Sequence, residues 1–225
     1  MADKYIRNMR LAFLGLVGAV FFMAGDCLIF CKAGLTDQTV EPLWAQMAEQ
    51  RFIISTVLGF IGMVLMLPAW ISFRRMIADT CKRAVCVMTD LSFIGVVSTG
   101  YLHFAYGSLL PLTYKAVLGG GGDVKLAGEV CEHIWAVMTP VNIVLTMCLC
   151  MIFAVHFYVT VSGRSGLKRF SCLLGILGAF AVGLLWRGIF GNSAIGGAYG
   201  AFESLGEGLT YLTASLYWRK RWRTA

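Results

Sequence analysis

Glu203 and Glu207 stand four residues apart in a stretch rich in apolar residues and glycine, Ala194–Trp218. On an α-helix that spacing puts both carboxyls on one face, a turn apart. Gly196, Gly200 and Tyr211 continue the same stripe. Two carboxylates held close together away from water repel, so either a cation neutralises them or one of them carries a proton. The first outcome is a cation or substrate site. The second supports general acid–base chemistry if an imidazole lies near, and His103 and His133 are the expected partners. A purely structural pair, bonded to Arg, Trp or backbone on neighbouring helices, is the competing reading.

Other polar residues interrupt apolar surroundings and need a reason to be there. Asp26, Tyr106, Glu132, Trp135, Arg187 and Asn192 are candidate substrate-binding residues around the acid–base group. Asp26 is expected to pair with Arg51 or Arg187, because an unpaired carboxylate is costly in hydrocarbon. Asp90 and His156 form a second group, expected as an inner polar pair: a structural Asp–His hydrogen bond or the inner end of a proton path. Asn142 follows Pro140 within one apolar block, where proline frees the carbonyl of Ala136. A kink is expected there, with room for a bound water.

What must position these residues is a set of membrane helices. Of the 225 residues, 58% are hydrophobic and 14% charged, too few charges to coat a water-facing surface. The apolar residues arrive in six blocks of about 20, the length that crosses about 30 Å of hydrocarbon as a helix. The blocks run approximately 11–30, 52–73, 84–110, 131–161, 167–189 and 194–218. The expected fold class is all-α, a polytopic membrane bundle of six transmembrane helices forming a single integral membrane domain over 1–225. The third and fourth blocks exceed a simple span and predict tilt, a kink or an extension beyond the lipid.

Charge sets the orientation. Of the 19 basic residues, 14 lie before the first block, between blocks two and three, between four and five, or after the sixth. Lys32, Arg51, Lys115, Lys125 and Arg187 fall on the other side. The positive-inside rule then places both termini in the cytoplasm. The same distribution turns the net charge of +7 into a topology signal and excludes nucleic acid as a partner. Arg219, Lys220, Arg221 and Arg223 with Trp218 and Trp222 read as an interfacial anchor.

Two outer loops are longer than the rest. Lys32–Arg51, with Pro42 and Trp44, predicts a short interfacial helix. Pro111–Glu129 holds four consecutive glycines, Gly119 to Gly122, and reads as a mobile tether or as a lid over an outward pocket. The eight cysteines show no CxxC pair and no zinc spacing, and a disulfide among Cys27, Cys31 and Cys131 is the only pairing that position allows. No HExxH, GxSxG, P-loop or nucleotide-binding glycine motif is present, and no cofactor or metal is expected.

At Gly25-Asp26, with Leu28 and Phe30 after it, then Trp44, Arg51 and Gly59, the chain resembles an uncharacterised family of small bacterial multi-pass membrane proteins. The likeness covers mainly the first two helices. It implies a bacterial inner (cytoplasmic) membrane and assigns no catalytic residue.

Three functions fit these residues. The first is a polar site opening toward the outer leaflet, where His103 or His133 with Glu203 and Glu207 binds or transforms a lipid-like or amphipathic substrate. The second is a proton- or cation-coupled transporter for a small solute, working as a homodimer because six helices are few for one chain. The third is a non-catalytic assembly protein. Membrane lipids, and a lipid-like or small cationic ligand, are the expected partners.

Overall fold

The computed structural model describes residues 2–31, 41–191 and 193–225, and all regular structure among them is helical. α1 runs Ala2–Phe30, and α2 is a single turn at Glu41–Ala45. α3 covers Glu49–Thr80, and α4 covers Arg83–Phe104. A π-helical turn at Ala105–Leu109 leads without a break into α5, Leu110–Gly119. α6 spans Val124–Val161, α7 Ile176–Phe190 and α8 Phe202–Arg223. Two 3₁₀ segments, Arg169–Leu173 and Gly196–Ala201, precede the last two helices.

Four helical stretches are long and apolar enough to cross a membrane: Asp3–Phe30, Glu49–Thr80, Arg83–Gly119 and Val124–Val161. The fifth expected block differs. Its helix is the 15-residue Ile176–Phe190, about 22 Å long, preceded by tight turns rather than by helix. The sixth yields a 22-residue helix that carries Glu203, Glu207, Thr210 and Thr213 and ends in the basic tail.

Glycines set the packing. α1 and α3 are antiparallel, with Gly18 against the Gly62 carbonyl, and a side chain at either position would push the two backbones apart. α8 runs antiparallel to α1 along its whole length. Gly200 meets Phe30, Gly208 meets Ala19, Gly15 meets Tyr211, and Tyr5 stacks on Trp218 at 6.1 Å. α4 packs antiparallel on α3 and on α6, where Gly95 faces the backbone of Leu149. The interior cluster shared by these helices includes Phe22, Met66, Phe73, Leu149, Ile152, Tyr211 and Trp218. The many exposed apolar side chains, such as Phe60, Val137, Leu185 and Ile189, lie on the bundle's outer faces, as lipid contact requires.

The expected lid is replaced by a turn. α5 continues to Gly119, and Gly121 adopts φ +91°, where a Cβ is strained. Gly122 N–H donates to the Val117 carbonyl, and Asp123 caps α6 by accepting from Leu126 N–H at 2.8 Å. The short helix predicted around Trp44 is present as α2, but Trp44 is buried against Tyr114 on α5, with ring centroids 5.9 Å apart. Lys115 ties the two by donating to the Met47 carbonyl at 2.9 Å. None of the cysteines forms a disulfide. The Cys131 thiol points instead at the Leu110 carbonyl, 3.5 Å away.

Candidate functional site

α6 and α8 run parallel and hardly touch except where His156 Nε2 meets Thr213 Oγ1 at 3.1 Å. Toward the Phe30 end of the bundle they part. A cavity of about 590 Å³ fills the gap, walled by α1, α4 with its π turn, α6 and α8. That volume lies within the range of small-molecule sites.

Its polar groups come from all four walls. α1 supplies Asp26, α4 His103, the π turn Tyr106, α6 Trp135, Thr139, Asn142 and Thr146, and α8 Glu203, Ser204 and Glu207. The α6 contribution follows from spacing: 135, 139, 142, 146 and 149 alternate steps of four and three, one continuous helix face. Phe22, Ile29, Phe30, Leu102 and Leu149 make the apolar lining. Ile143 and Met147 also line it while being 55% and 61% exposed, so the cavity opens between α6 and α8 toward the lipid-facing side.

His103 is gripped from three directions. Its ring lies in a slot made by Gly25 on α1 and Gly59 on α3. A Cβ on Gly25 would come within 2.9 Å of Nε2, and one on Gly59 would overlap the ring. Phe22 closes the slot edge-on at 5.2 Å. Nδ1 faces Asp26 Oδ1 at 3.3 Å. Nε2 faces both the Ser55 hydroxyl at 3.0 Å and the Ser55 carbonyl at 2.9 Å. The order Ser55–His103–Asp26 repeats that of a nucleophile triad. However, Ser55 is fully buried outside the cavity, and its own carbonyl competes for Nε2, so the arrangement positions the ring and presents no nucleophile.

The π turn has a local cause. Pro111 cannot donate to the Gly107 carbonyl and its ring crowds that turn, and the helix widens just before it. Ser108 donates its hydroxyl to the Phe52 carbonyl at 2.9 Å and fixes the segment to α3. Tyr106 is thereby set against Trp135, with ring centroids 4.6 Å apart, at the cavity wall.

Three expected pairings are corrected. Asp26 does not reach Arg51 or Arg187; it bonds His103 and accepts from the Ser204 hydroxyl at 2.6 Å. Arg51 donates to the carbonyls of Leu28 at 2.8 Å and Cys31 at 3.1 Å, closing the C-terminus of α1. Arg187 is exposed and lies 4.8 Å over the Tyr199 ring. Asp90 and His156 are likewise apart, for Asp90 forms a bidentate pair with Arg74 across α3 and α4. Arginine is long enough to reach groups that its own position in the sequence does not point to.

Glu132 and His133 are exposed and do not line the cavity. Glu132 sits a turn beyond Trp135 on the same face, past the end of the site, and His133 is turned about 100° from it. Asn192 lies outside the described residues. In contrast, Ser204, Thr139 and Thr146 line the site unforeseen, and Asn142, expected only at a kink, is central to it.

Asn142 is 5% exposed, and neither its amide nitrogen nor its carbonyl oxygen has a hydrogen-bond partner. Glu207 is 1% exposed, and its Oε1 has none either. Glu203, one turn away, is exposed and marks the mouth. Buried polar atoms are nearly always paired, so such a cluster needs an explanation, and a cavity-bound group is one. Among the described residues, no group of three His, Cys, Asp or Glu side chains is placed to share a metal ion.

Fold and site together define a helical membrane protein whose bundle encloses an acidic cavity with apolar walls. The chain belongs to the family of unknown function DUF6796, whose model matches residues 1–221. The likeness noted in the first two helices therefore extends over nearly the whole chain. No curated protein and no solved structure matches it.

Proposed function

We propose that the protein holds an amphipathic, lipid-like ligand in this cavity, with acid–base groups placed to act on its polar end. One observation carries the reading: the polar atoms of Asn142 and Glu207 are buried without protein partners inside an otherwise apolar cavity. An isolated hydrophobic bundle would do better with leucine at both positions. Glu207 and Asn142 would receive the polar group at depth, Glu203 would meet it at the mouth, and His103 held by Asp26 would exchange protons with it. The apolar part would lie past Ile143 and Met147 in the acyl chains of the bilayer.

Proton- or cation-coupled transport keeps Glu203 and Glu207 but needs a route to the opposite face. Asp90, expected to share that route with His156, is held by Arg74 instead. This favours the binding or catalytic reading.

The topology proposed with it is six spans with both termini in the cytoplasm, in a bacterial inner membrane. Support for counting α8 comes from its contact with α1 over α1's full length, and α7 returns the chain to α8's start.

A photoactivatable fatty alcohol with a mid-chain diazirine tests the proposal on purified full-length protein. Crosslinked peptides should concentrate on α6 around residues 142–149 and on α8 around 203–207. Labelling spread evenly over Phe60, Val137 and Ile189, on the outer faces, would refute a dedicated site.

A further inference from the structure

Resting on that reading of the cavity, we infer that the ligand's head group is cationic, a protonated amine or a quaternary ammonium on an apolar chain. The charge inventory points there. Asp26, Glu203 and Glu207 line the cavity with His103, and no lysine or arginine lines it.

The cations that could have served as internal partners are engaged elsewhere. Arg51 bonds carbonyls at the end of α1, Arg187 lies over Tyr199, and Lys115 bonds the Met47 carbonyl. Lys125 is on the surface near Glu129. Asp26 is satisfied by His103 and Ser204. Glu203 and Glu207 are left without a positive partner, and Oε1 of Glu207 is without any. Burying acid without a counter-charge is costly, and a ligand cation supplies what the protein omits.

An anionic head group would meet three carboxyls with no arginine or lysine to offset them. A bare metal ion would find no set of three acidic, histidine or cysteine ligands converging on it. An ammonium needs no such convergence. It is satisfied by one or two carboxylates, the Asn142 carbonyl oxygen and aromatic faces. Phe22, Phe30, Tyr106 and Trp135 provide those faces around the cavity. The carboxyls also form a gradient of exposure, from Glu203 at the mouth to Glu207 at depth. An amine entering between α6 and α8 meets the first before the second.

The test uses full-length protein in a neutral detergent and four probes at pH 7. Dodecylammonium is compared with dodecanol and dodecanoate, which share its chain, and with butylammonium, which shares its head. Thermal unfolding and calorimetric titration both read binding. Dodecylammonium should raise the melting temperature and bind at least about tenfold more tightly than dodecanol or dodecanoate. In Glu207→Gln and Glu203→Gln the preference for ammonium over alcohol should shrink, and in Glu132→Gln it should persist. The preference is a ratio within one variant, so it is readable even where a variant is less stable. Butylammonium binding as tightly as dodecylammonium would keep the cation and assign it to a small amine rather than a lipid. Dodecanol binding as well as dodecylammonium would overturn the cationic assignment while leaving the cavity an amphiphile site. Failure of all four to bind would overturn both.

Discussion

Asp26 and His103 face each other at 3.3 Å across the contact of α1 and α4, and the ring that makes this contact fits only because Gly25 and Gly59 have no side chains. Gly59→Ala should therefore destabilise the protein by about 1–3 kcal/mol through overpacking. Adding His103→Ala should recover a large part of that loss. Unfolding of the single and double variants in the same detergent would show it, and a double variant no better than Gly59→Ala would dissociate the glycine from the ring.

Asn142→Leu separates binding from structure. Removing a buried amide with no partner should leave the fold intact or stabilise it by about 1 kcal/mol. Photolabelling at the α6–α8 mouth should fall in the same variant. A clear drop in melting temperature would mean that the amide holds the bundle together.

Asp90 and His156 should behave as strangers. A double-variant cycle of Asp90→Asn and His156→Ala should be additive within about 0.5 kcal/mol. The partner of Asp90 is Arg74, half-exposed at the surface, so Asp90→Asn alone should change stability by less than about 1 kcal/mol. Coupling between Asp90 and His156 would revive the inner pair.

Orientation is open to labelling from outside intact cells. In a cysteine-depleted background, a membrane-impermeant maleimide should reach Gly120→Cys, in the exposed turn between α5 and α6. It should not reach Ser162→Cys, exposed at the other end of α6. The reverse pattern would invert the membrane orientation of every residue discussed.

The sequence makes the helical class and the interiors of the first four blocks legible, because runs of apolar residues about 20 long have one explanation. It also makes Glu203 and Glu207 legible as a face, since spacing alone fixes that. Asp26, His103, Tyr106 and Trp135 can be named as anomalies in apolar segments, and they line one cavity with the two glutamates. What is hidden is rotation and reach. Nothing in the order of residues says that His103 slots between two glycines, or that Arg51 stretches to the Leu28 carbonyl. Glu132 and His133 were equally good candidates until α6 proved to begin at Val124, setting them beyond the cavity. Asn142 was visible, but its importance depends on having no partner, which only packing reveals. The glycine pairs Gly15/Gly18 and Gly175/Gly178, spaced alike, also part company. The first pair packs on neighbouring helices, while Gly175 meets His156 and Gly178 the Leu173 carbonyl.

The π turn at Ala105–Leu109 amounts to one surplus residue in an otherwise regular helix. Deleting a single residue there would let α4 and α5 join in uniform register, and everything after the deletion would rotate by about 100° relative to what precedes it. Tyr114 would swing away from Trp44 and Lys115 from the Met47 carbonyl, while His103 kept its slot. Chain length in this segment is thus a coupling between the cap over α2 and the wall of the cavity. Substitutions at these positions should be far better tolerated than a shortening by one.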